Sequence, residues 1–264
     1  MSIDRPQTKP NANEPSSTSR EPVRAGLTRS LREMPDIVLR SDVPHPAAER
    51  FHKLKTTLTA DPGRHRQVLV VTSAAPGEGK SLVAMNLALA FASDERCRVL
   101  LVDADARAPR IGRFIQDSPR EGLMEVLNGT AKLENVTVRI SASSLSILTA
   151  GTPTRNPIPL LSSEACRTLF AQLRQRYDRI IVDTPPAVPF ADANVMAPYS
   201  DGSLIVVRSG STPRQLVASA QQAMSSGEIV GIVLNDLEFN LADRRHLYDH
   251  DYYEYYRDPD KRKS

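Results

Sequence analysis

Short apolar runs, rich in Val, Ile and Leu, alternate along most of the chain with segments of helical periodicity. Because strands buried on both faces read as continuous apolar runs, each run of four to six residues predicts a strand of a parallel sheet. Helical spacing of apolar side chains is seen after Ala47, at Phe51, Leu54 and Leu58. The pattern predicts an α/β fold with a doubly wound, mostly parallel sheet. The predicted strands lie near 68 to 72, 99 to 102, 145 to 149, 179 to 183, 203 to 207 and 229 to 234.

The two ends of the chain have a different composition from the middle. Residues 1–46 are rich in Pro, Ser, Thr, Arg and Asn, which predicts a disordered leader, with a short helix near Leu27 to Met34. Residues 47–236 form the expected nucleotide-binding domain, and residues 237–264 a flexible, tyrosine-rich tail.

The composition narrows the class of protein. A chain of 264 residues with 40% hydrophobic content fits one α/β domain with flexible ends. No apolar run approaches the roughly 18 to 20 residues needed to cross a bilayer, and the start lacks the apolar core of a signal peptide, so we expect a cytoplasmic protein. Cys97 and Cys166 have no metal-ligand spacing, so we expect reduced thiols. With a formal net charge of +3, no nucleic-acid partner is expected.

A phosphate-binding loop follows the first predicted strand. The segment Ser73-Ala-Ala-Pro-Gly-Glu-Gly-Lys-Ser81 leads directly into a helical pattern. Gly77 and Gly79 let the backbone approach phosphate oxygens, and the helix N-terminus turns free N–H groups toward them. Lys80 adds a positive charge, and Ser81 can ligate Mg2+. The alternative is a glycine-containing turn that binds nothing, but such a turn does not require Lys-Ser at the helix start.

Carboxylates end two other predicted strands. Asp103 and Asp105 follow one, and Asp183 ends another. Since ligands of open parallel sheets bind beyond the carboxyl ends of the strands, these acids should converge on the bound phosphates and their metal ion. The alternative is that they are ordinary strand-end residues.

Five of the seven tyrosines lie in the acidic C-terminal tail, namely Tyr248, Tyr252, Tyr253, Tyr255 and Tyr256. Phosphorylatable hydroxyls beside a phosphoryl-transfer site predict an enzyme that modifies itself. The alternative is a merely disordered or adhesive end.

Taken together, these motifs resemble one family, the bacterial tyrosine kinases of capsule and exopolysaccharide export, including the exosortase-associated tyrosine autokinases. PGEGKS at 76–81 is similar to the family's Walker A motif, LLVDADARAP at 100–109 to its Walker A′ and IIVDTPP at 180–186 to its Walker B. Further similarity lies at 151–163, 201–212 and 231–235. The resemblance covers about residues 49 to 235 and resumes in the tail.

The resemblance implies a P-loop NTPase fold and an ATP-dependent protein-tyrosine autokinase that uses Mg2+. It assigns catalysis to Lys80, Asp103, Asp105 and Asp183, metal ligation to Ser81, Asp183 and Asp103, and phosphorylation to the five tail tyrosines. Either Asp103 or Asp105 would orient or deprotonate the tyrosine. Nucleotide contacts are assigned to Pro76, Gly77, Glu78, Gly79, Lys80, Ser81, Leu82, Arg208 and Asn235.

The resemblance also implies partners. A polysaccharide co-polymerase, a membrane chain-length regulator, would activate the kinase at the inner face of the cytoplasmic membrane, and a cognate tyrosine phosphatase would reset the tail. A homo-oligomeric ring is implied too, although His52 and Lys55 stand where the family has arginines in its ring-packing helix, and Ala108 replaces a basic residue.

Two other functions remain open. One is an ATP-driven switch related to the partitioning ATPases, although these usually carry a lysine where this chain has Ala75. The other is a nucleotide-binding scaffold of the export machinery without enzymatic activity.

Overall fold

A single eight-stranded sheet organises the protein. The structure, a computed structural model, describes residues 27–39, 46–61 and 63–236. The strands are β1 (Leu27–Arg29), β2 (Val68–Ser73), β3 (Val99–Asp103), β4 (Thr137–Ile140), β5 (Leu145–Leu148), β6 (Arg179–Asp183), β7 (Gly202–Arg208) and β8 (Ile229–Asn235). Their order across the sheet is β1-β4-β5-β3-β6-β2-β7-β8, and every neighbouring pair is parallel except β4 and β5. The predicted doubly wound, mostly parallel sheet is confirmed.

Helices connect these strands. They are α1 (Pro46–Thr59), α2 (Lys80–Ala92), α3 (Leu123–Leu127), α4 (Leu133–Val136), α5 (Ile158–Leu161), α6 (Glu164–Arg176), α7 (Asp192–Met196) and α8 (Arg214–Ala223), with short 3₁₀ turns at Ile111–Phe114 and Ala197–Tyr199. Among the described residues, no helix is long and apolar enough to cross a membrane.

Each face of the sheet is covered by its own apolar layer. In β2, Val68 and Val70 point into the layer that contains α6, whereas Leu69 and Val71 point into the layer that contains α2. Because both faces of the strand are buried, it reads in sequence as an uninterrupted apolar run. Helix α2 is buried along almost its whole length, so its sequence is apolar on every side.

The predicted disordered leader is wrong over residues 27–39, which we call the N-terminal strap. Its first residues form β1 beside β4, and Leu31 and Ile37 are buried. The helix predicted near Leu27 to Met34 is therefore also wrong. The extended backbone is held by partners distant in sequence, including the carbonyl group of Phe114, which accepts from the Arg32 amide at 2.8 Å. The local spacing of apolar residues gives no sign of these distant partners.

Near the strap's end, helix α2 holds it through one polar side chain. The buried Asn86 carboxamide accepts from the Val38 amide at 3.0 Å and donates to the Asp36 carbonyl oxygen at 2.9 Å. The rest of the predicted leader, and the tail with its five tyrosines, lie outside the described residues.

Strand order also brings the predicted site together. β3, β6 and β2 are adjacent, and all three run in the same direction. Consequently Asp103, Asp183 and the phosphate-binding loop after Ser73 emerge side by side at one edge of the sheet.

Candidate active site

The phosphate-binding loop joins β2 to α2 and turns on two glycines. Gly77 and Gly79 have φ angles of 84° and 86°, the left-handed region that side chains other than glycine rarely adopt. Gly79 is also closely packed, since an added Cβ atom would lie 2.1 Å from Nδ2 of Asn235. The backbone conformation therefore requires glycine at both positions, and close packing against Asn235 requires it at Gly79 as well.

The Glu78 side chain braces this loop from inside. Its buried carboxylate accepts a hydrogen bond from the Ala75 amide at 2.8 Å and another from the Thr212 hydroxyl. The Asn235 carboxamide donates to the Glu78 carbonyl oxygen at 3.0 Å. The end of β8 and the loop after β7 thus hold the phosphate-binding loop in shape.

Lys80 lies among the carboxylates predicted to surround it. Its Nζ atom is 2.8 Å from Oδ2 of Asp105 and 3.7 Å from Oδ1 of Asp183. The same atom is 3.3 Å from the Ser81 hydroxyl. Burial acts to lower the pKa of Lys80, but the charges of Asp183 and Asp105 outweigh it, so this pKa lies above its ordinary value.

Asp103 is fully buried and anchors the loop that follows it. One carboxylate oxygen accepts from the Asp105 amide at 3.0 Å, and the other from the amides of Ile111 at 3.0 Å and Arg110 at 3.2 Å. Burial and the neighbouring charge of Asp183 raise the pKa of the Asp103 carboxyl to about 8, although the Ile111 amide opposes the change.

Asp183 stands beside Asp103 in the register of β3 and β6. Neither of its carboxylate oxygens has a hydrogen-bond partner in the described part of the chain. Burial raises its pKa to about 6 against the opposing charge of Lys80. A fully buried carboxylate that lacks hydrogen bonds from the described residues and has only the Lys80 ammonium group 3.7 Å away is costly, which indicates that it serves a ligand.

Charge and donor chemistry fit Mg2+. Three carboxylates, of Asp103, Asp105 and Asp183, surround the single ammonium group of Lys80, so the cluster has excess negative charge when all are ionised. The described residues contain no group of three His, Cys, Asp or Glu side chains that could hold a metal ion by themselves. Mg2+ commonly takes only one or two carboxylates and fills its remaining positions with phosphate oxygens and water.

The remaining predicted nucleotide contacts lie around the same loop. Arg208 lines a cleft with Ala75 to Glu78, and its Nε atom donates to the Asp236 carboxylate at 2.7 Å. Pro76 is exposed in this cleft. Leu82 instead packs its side chain against the core layer of α2, which leaves its backbone amide for any ligand contact.

Sequence reasoning missed Asp192. Its carboxylate is fully buried and accepts from Nε of Arg107 at 3.0 Å. The Arg107 guanidinium group also stacks over the Phe190 ring at 4.6 Å and donates to the Arg155 carbonyl oxygen at 2.6 Å. Arg107 therefore joins the loops after β3, β5 and β6. No motif marked Asp192, because its partner is distant in sequence.

The fold and the site define a nucleotide-binding domain of the P-loop NTPase class. In agreement, a family model described as an AAA domain matches residues 66–218.

Known relatives narrow this class. The chain is 32% identical over 210 residues to tyrosine-protein kinase YwqD of Bacillus subtilis. The matched region covers 78% of this chain and 88% of YwqD. It is 34% identical to the succinoglycan biosynthesis transport protein ExoP of Rhizobium meliloti, with 74% of this chain matching 26% of ExoP. The kinase domain of the Escherichia coli tyrosine kinase ETK superposes with a TM-score of 0.73 at 27% identity, covering 80% of this chain and 83% of that domain. The chain belongs to the family of bacterial tyrosine-protein kinases, which confirms the family inferred from its motifs.

Proposed function

We propose that this protein transfers the γ-phosphoryl group of ATP to tyrosines of its own tail and thereby regulates exopolysaccharide or capsule polymerisation and export. The observation that carries the proposal is the contact of Lys80, at the start of the phosphate-binding helix, with carboxylates from two neighbouring strands. Positioning and charge neutralisation supply most of the catalysis in phosphoryl transfer, and this cluster offers both.

The residues of the loop would bind the ATP phosphates. The backbone amides of Gly77 to Ser81, at the start of the helix, would donate to phosphate oxygens, and the Lys80 ammonium group would pair with them. Ser81 and Asp183 would hold Mg2+, with Asp103 behind them. The ion would neutralise charge on the phosphates when bound.

Between the two candidate bases, the hydrogen bonds favour Asp105. Both oxygens of Asp103 accept backbone N–H groups. In Asp105 only Oδ1 does so within the described residues, from the Ala108 amide, whereas Oδ2 contacts the Lys80 ammonium group. Asp105 would orient the tyrosine hydroxyl and take its proton. The tyrosine oxygen bonds to the γ-phosphorus while the bond to the bridging oxygen breaks, and ADP leaves.

Partners follow from the same family relationship. ExoP is named a transport protein and is much longer than the matched region, which supports a membrane co-polymerase as activator of this chain. The kinase would then work peripherally, at the inner face of the cytoplasmic membrane, and a cognate phosphatase would remove the phosphates. Packing of subunits through α1 into a ring is also proposed. Lys55 of that helix already donates to the Ser93 hydroxyl at 3.4 Å within the chain.

The test is phosphotyrosine mapping by mass spectrometry after incubation of the full chain with ATP and Mg2+, with and without a peptide from the cytoplasmic end of a candidate co-polymerase. We expect phosphate on Tyr248 to Tyr256. It should disappear in Lys80→Met and persist in Lys132→Met, which alters an exposed lysine just before α4. Equal labelling of Lys80→Met and the unaltered protein would contradict the proposal.

A further inference from the structure

Three loops meet beside Asp105, and Arg107 holds them together. The Arg107 side chain contacts Asp192 and the Arg155 carbonyl group. Next to it, the Ala106 carbonyl oxygen accepts a hydrogen bond from the Thr154 amide at 2.8 Å. On the other side of Asp105, the Arg110 amide donates to the Asp103 carboxylate at 3.2 Å. These contacts place the backbones of Arg110 and Arg155 at the edge of the carboxylate cluster.

Four side chains of these loops are available to a ligand. The guanidinium groups of Arg110 and Arg155 are exposed and have no hydrogen-bond or ion-pair partner within the described ranges. Val188 is 39% exposed, one of three exposed large apolar side chains in the described part of the protein, and the other two lie on β8. Phe190 is half-buried, with its ring against Arg107. We call these four residues the acceptor rim: Arg110, Arg155, Val188 and Phe190.

The tail has the complementary composition. Between Tyr248 and Tyr256 the chain carries three acids, Asp249, Asp251 and Glu254, and no lysine or arginine. The segment thus combines aromatic rings with a formal charge of −3 when His250 is neutral.

We propose that the acceptor rim binds the tail segment 248–256 and selects tyrosines flanked by acids. This inference rests on the proposed kinase function and names the substrate determinants of that site. The two guanidinium groups pair with the flanking carboxylates, and Val188 and Phe190 pack against a tyrosine ring, so that its hydroxyl reaches Asp105. The rim determines which tyrosines are bound, whereas Lys80 and the carboxylates carry out the transfer.

Measuring peptide binding tests this proposal without requiring phosphoryl transfer. The protein is the full chain with its own tail neutralised by Asp249→Asn, Asp251→Asn and Glu254→Gln, in the presence of a nonhydrolysable ATP analogue and Mg2+. Fluorescence anisotropy compares a labelled peptide of residues 248–256 with the same peptide carrying those three neutral substitutions. Because exposed ion pairs each contribute a modest factor, we expect the acidic peptide to bind about three- to tenfold more tightly at low salt.

Variants assign the preference to the rim. Arg110→Gln with Arg155→Gln should make the two peptides bind equally, and the corresponding lysine variants should keep most of the difference. Arg96 is exposed and precedes β3, at the opposite end of that strand from the acceptor rim, so Arg96→Gln should leave the affinity for both peptides unchanged. Val188→Ser should weaken both peptides alike, because the tyrosines are common to both.

The proposal is overturned if the acidic peptide shows no preference, if the preference survives in the double glutamine variant, or if neither peptide binds at millimolar concentration. The protein could also transfer no phosphate while the preference for the acidic peptide is lost when the two arginines are replaced. That pair of results would support the acceptor rim and reject only the kinase proposal. In an active protein, the same double variant should raise KM for the acidic peptide several-fold while kcat stays within about twofold.

Discussion

At the scale of single residues, the site contains a buried carboxylate that destabilises the folded protein when it is ionised. Asp183 is buried without a hydrogen-bond partner in the described residues, and the rise of its pKa to about 6 means that its ionised form destabilises the folded state. Asp201 shows the opposite arrangement. Arg174 and the amides of Gln67 and Val68 hold its carboxylate, and although burial acts to raise the pKa of Asp201, these bonds keep it below its ordinary value.

The Asp183→Asn variant should therefore be more stable than the unaltered protein at pH 8. A carboxyl whose pKa is raised on folding binds more protons in the folded state, so its contribution to stability declines as pH rises from about 4 past 6. We expect the variant's free energy of unfolding to exceed that of the unaltered protein by about 1 to 3 kcal/mol at pH 8, and by a clearly smaller amount at pH 4.5. Urea denaturation across this range, with EDTA and without nucleotide, measures the difference.

Asp201→Asn is the control for this experiment and should have the opposite sign. It removes a well-paired carboxylate, so the variant should be less stable than the unaltered protein at pH 8. An Asp183→Asn protein that is destabilised equally at both pH values would show that Asp183 has a structural role instead.

At the scale of elements, the phosphate-binding loop depends on contacts from the ends of two other strands, β7 and the edge strand β8. Gly77 and Gly79 share a left-handed backbone, but only Gly79 lies against Asn235. An added methyl group at Gly79 would displace the carboxamide that donates to Glu78, whereas nothing lies within 4 Å of the corresponding point at Gly77.

Gly79→Ala should consequently cost more stability than Gly77→Ala. Both variants carry the strain of a left-handed alanine, and Gly79→Ala also loses the hydrogen bond from Asn235, an additional loss of about 1 kcal/mol. Thermal unfolding without nucleotide measures both. Gly129→Ala, with a φ of 81° and free space, gives the cost of strain alone, and equal losses in all three variants would contradict the account.

The end of the N-terminal strap is hydrogen-bonded to a single side chain of α2, that of Asn86. Asn86→Ala removes the partner of the buried Val38 amide and of the part-buried Asp36 carbonyl group. We therefore expect a loss of about 1 to 3 kcal/mol and faster hydrogen exchange at 36–39 than elsewhere in the domain. Asn135→Ala, at an exposed site of α4, should stay within about 0.5 kcal/mol of the unaltered protein. Unchanged exchange at 36–39 in Asn86→Ala would show that the apolar contacts of the strap suffice.

The sequence was informative where the structure is locally determined. Continuous apolar runs predicted β2, β3, β5, β6 and β7, because strands inside the sheet are buried on both faces. They also predicted β8, an edge strand whose apolar Ile232 and Leu234 are exposed. β1 and β4 were missed, since short strands with exposed Arg139 and Thr28 carry no such run. The sequence predicted that Lys80, Asp103, Asp105 and Asp183 lie close together, because each stands at or just beyond a strand or helix end, and the structure does place them together. The Glu78 brace, Asn86 and Asp192 depend on partners far away in sequence, which the sequence pattern does not encode.

At the scale of the whole molecule, phosphorylation would reverse the sign of the charge. The formal net charge is +3, and five tail phosphates would add about −7.5 to −10 at pH 7. Repulsion between tails of neighbouring subunits would then oppose assembly.

We accordingly expect the phosphorylated protein to sediment as smaller species than the unphosphorylated protein at low salt. The difference should shrink as salt screens the repulsion. A chain whose five tail tyrosines are replaced by phenylalanine should sediment identically before and after incubation with ATP. Identical sedimentation of the phosphorylated and unphosphorylated protein would rule out an assembly switch based on tail charge.

The central claim is that the γ-phosphoryl group of ATP reaches the protein's own tyrosines. The most direct measurement follows γ-labelled ATP in the presence of Mg2+ and an activating co-polymerase peptide, and determines how much label ends on Tyr248 to Tyr256 and how much is released as phosphate. The account predicts label on these tyrosines that is lost in both Lys80→Met and Asp105→Asn. Steady release of phosphate with no label on any tail tyrosine would contradict it and indicate an ATP-driven switch.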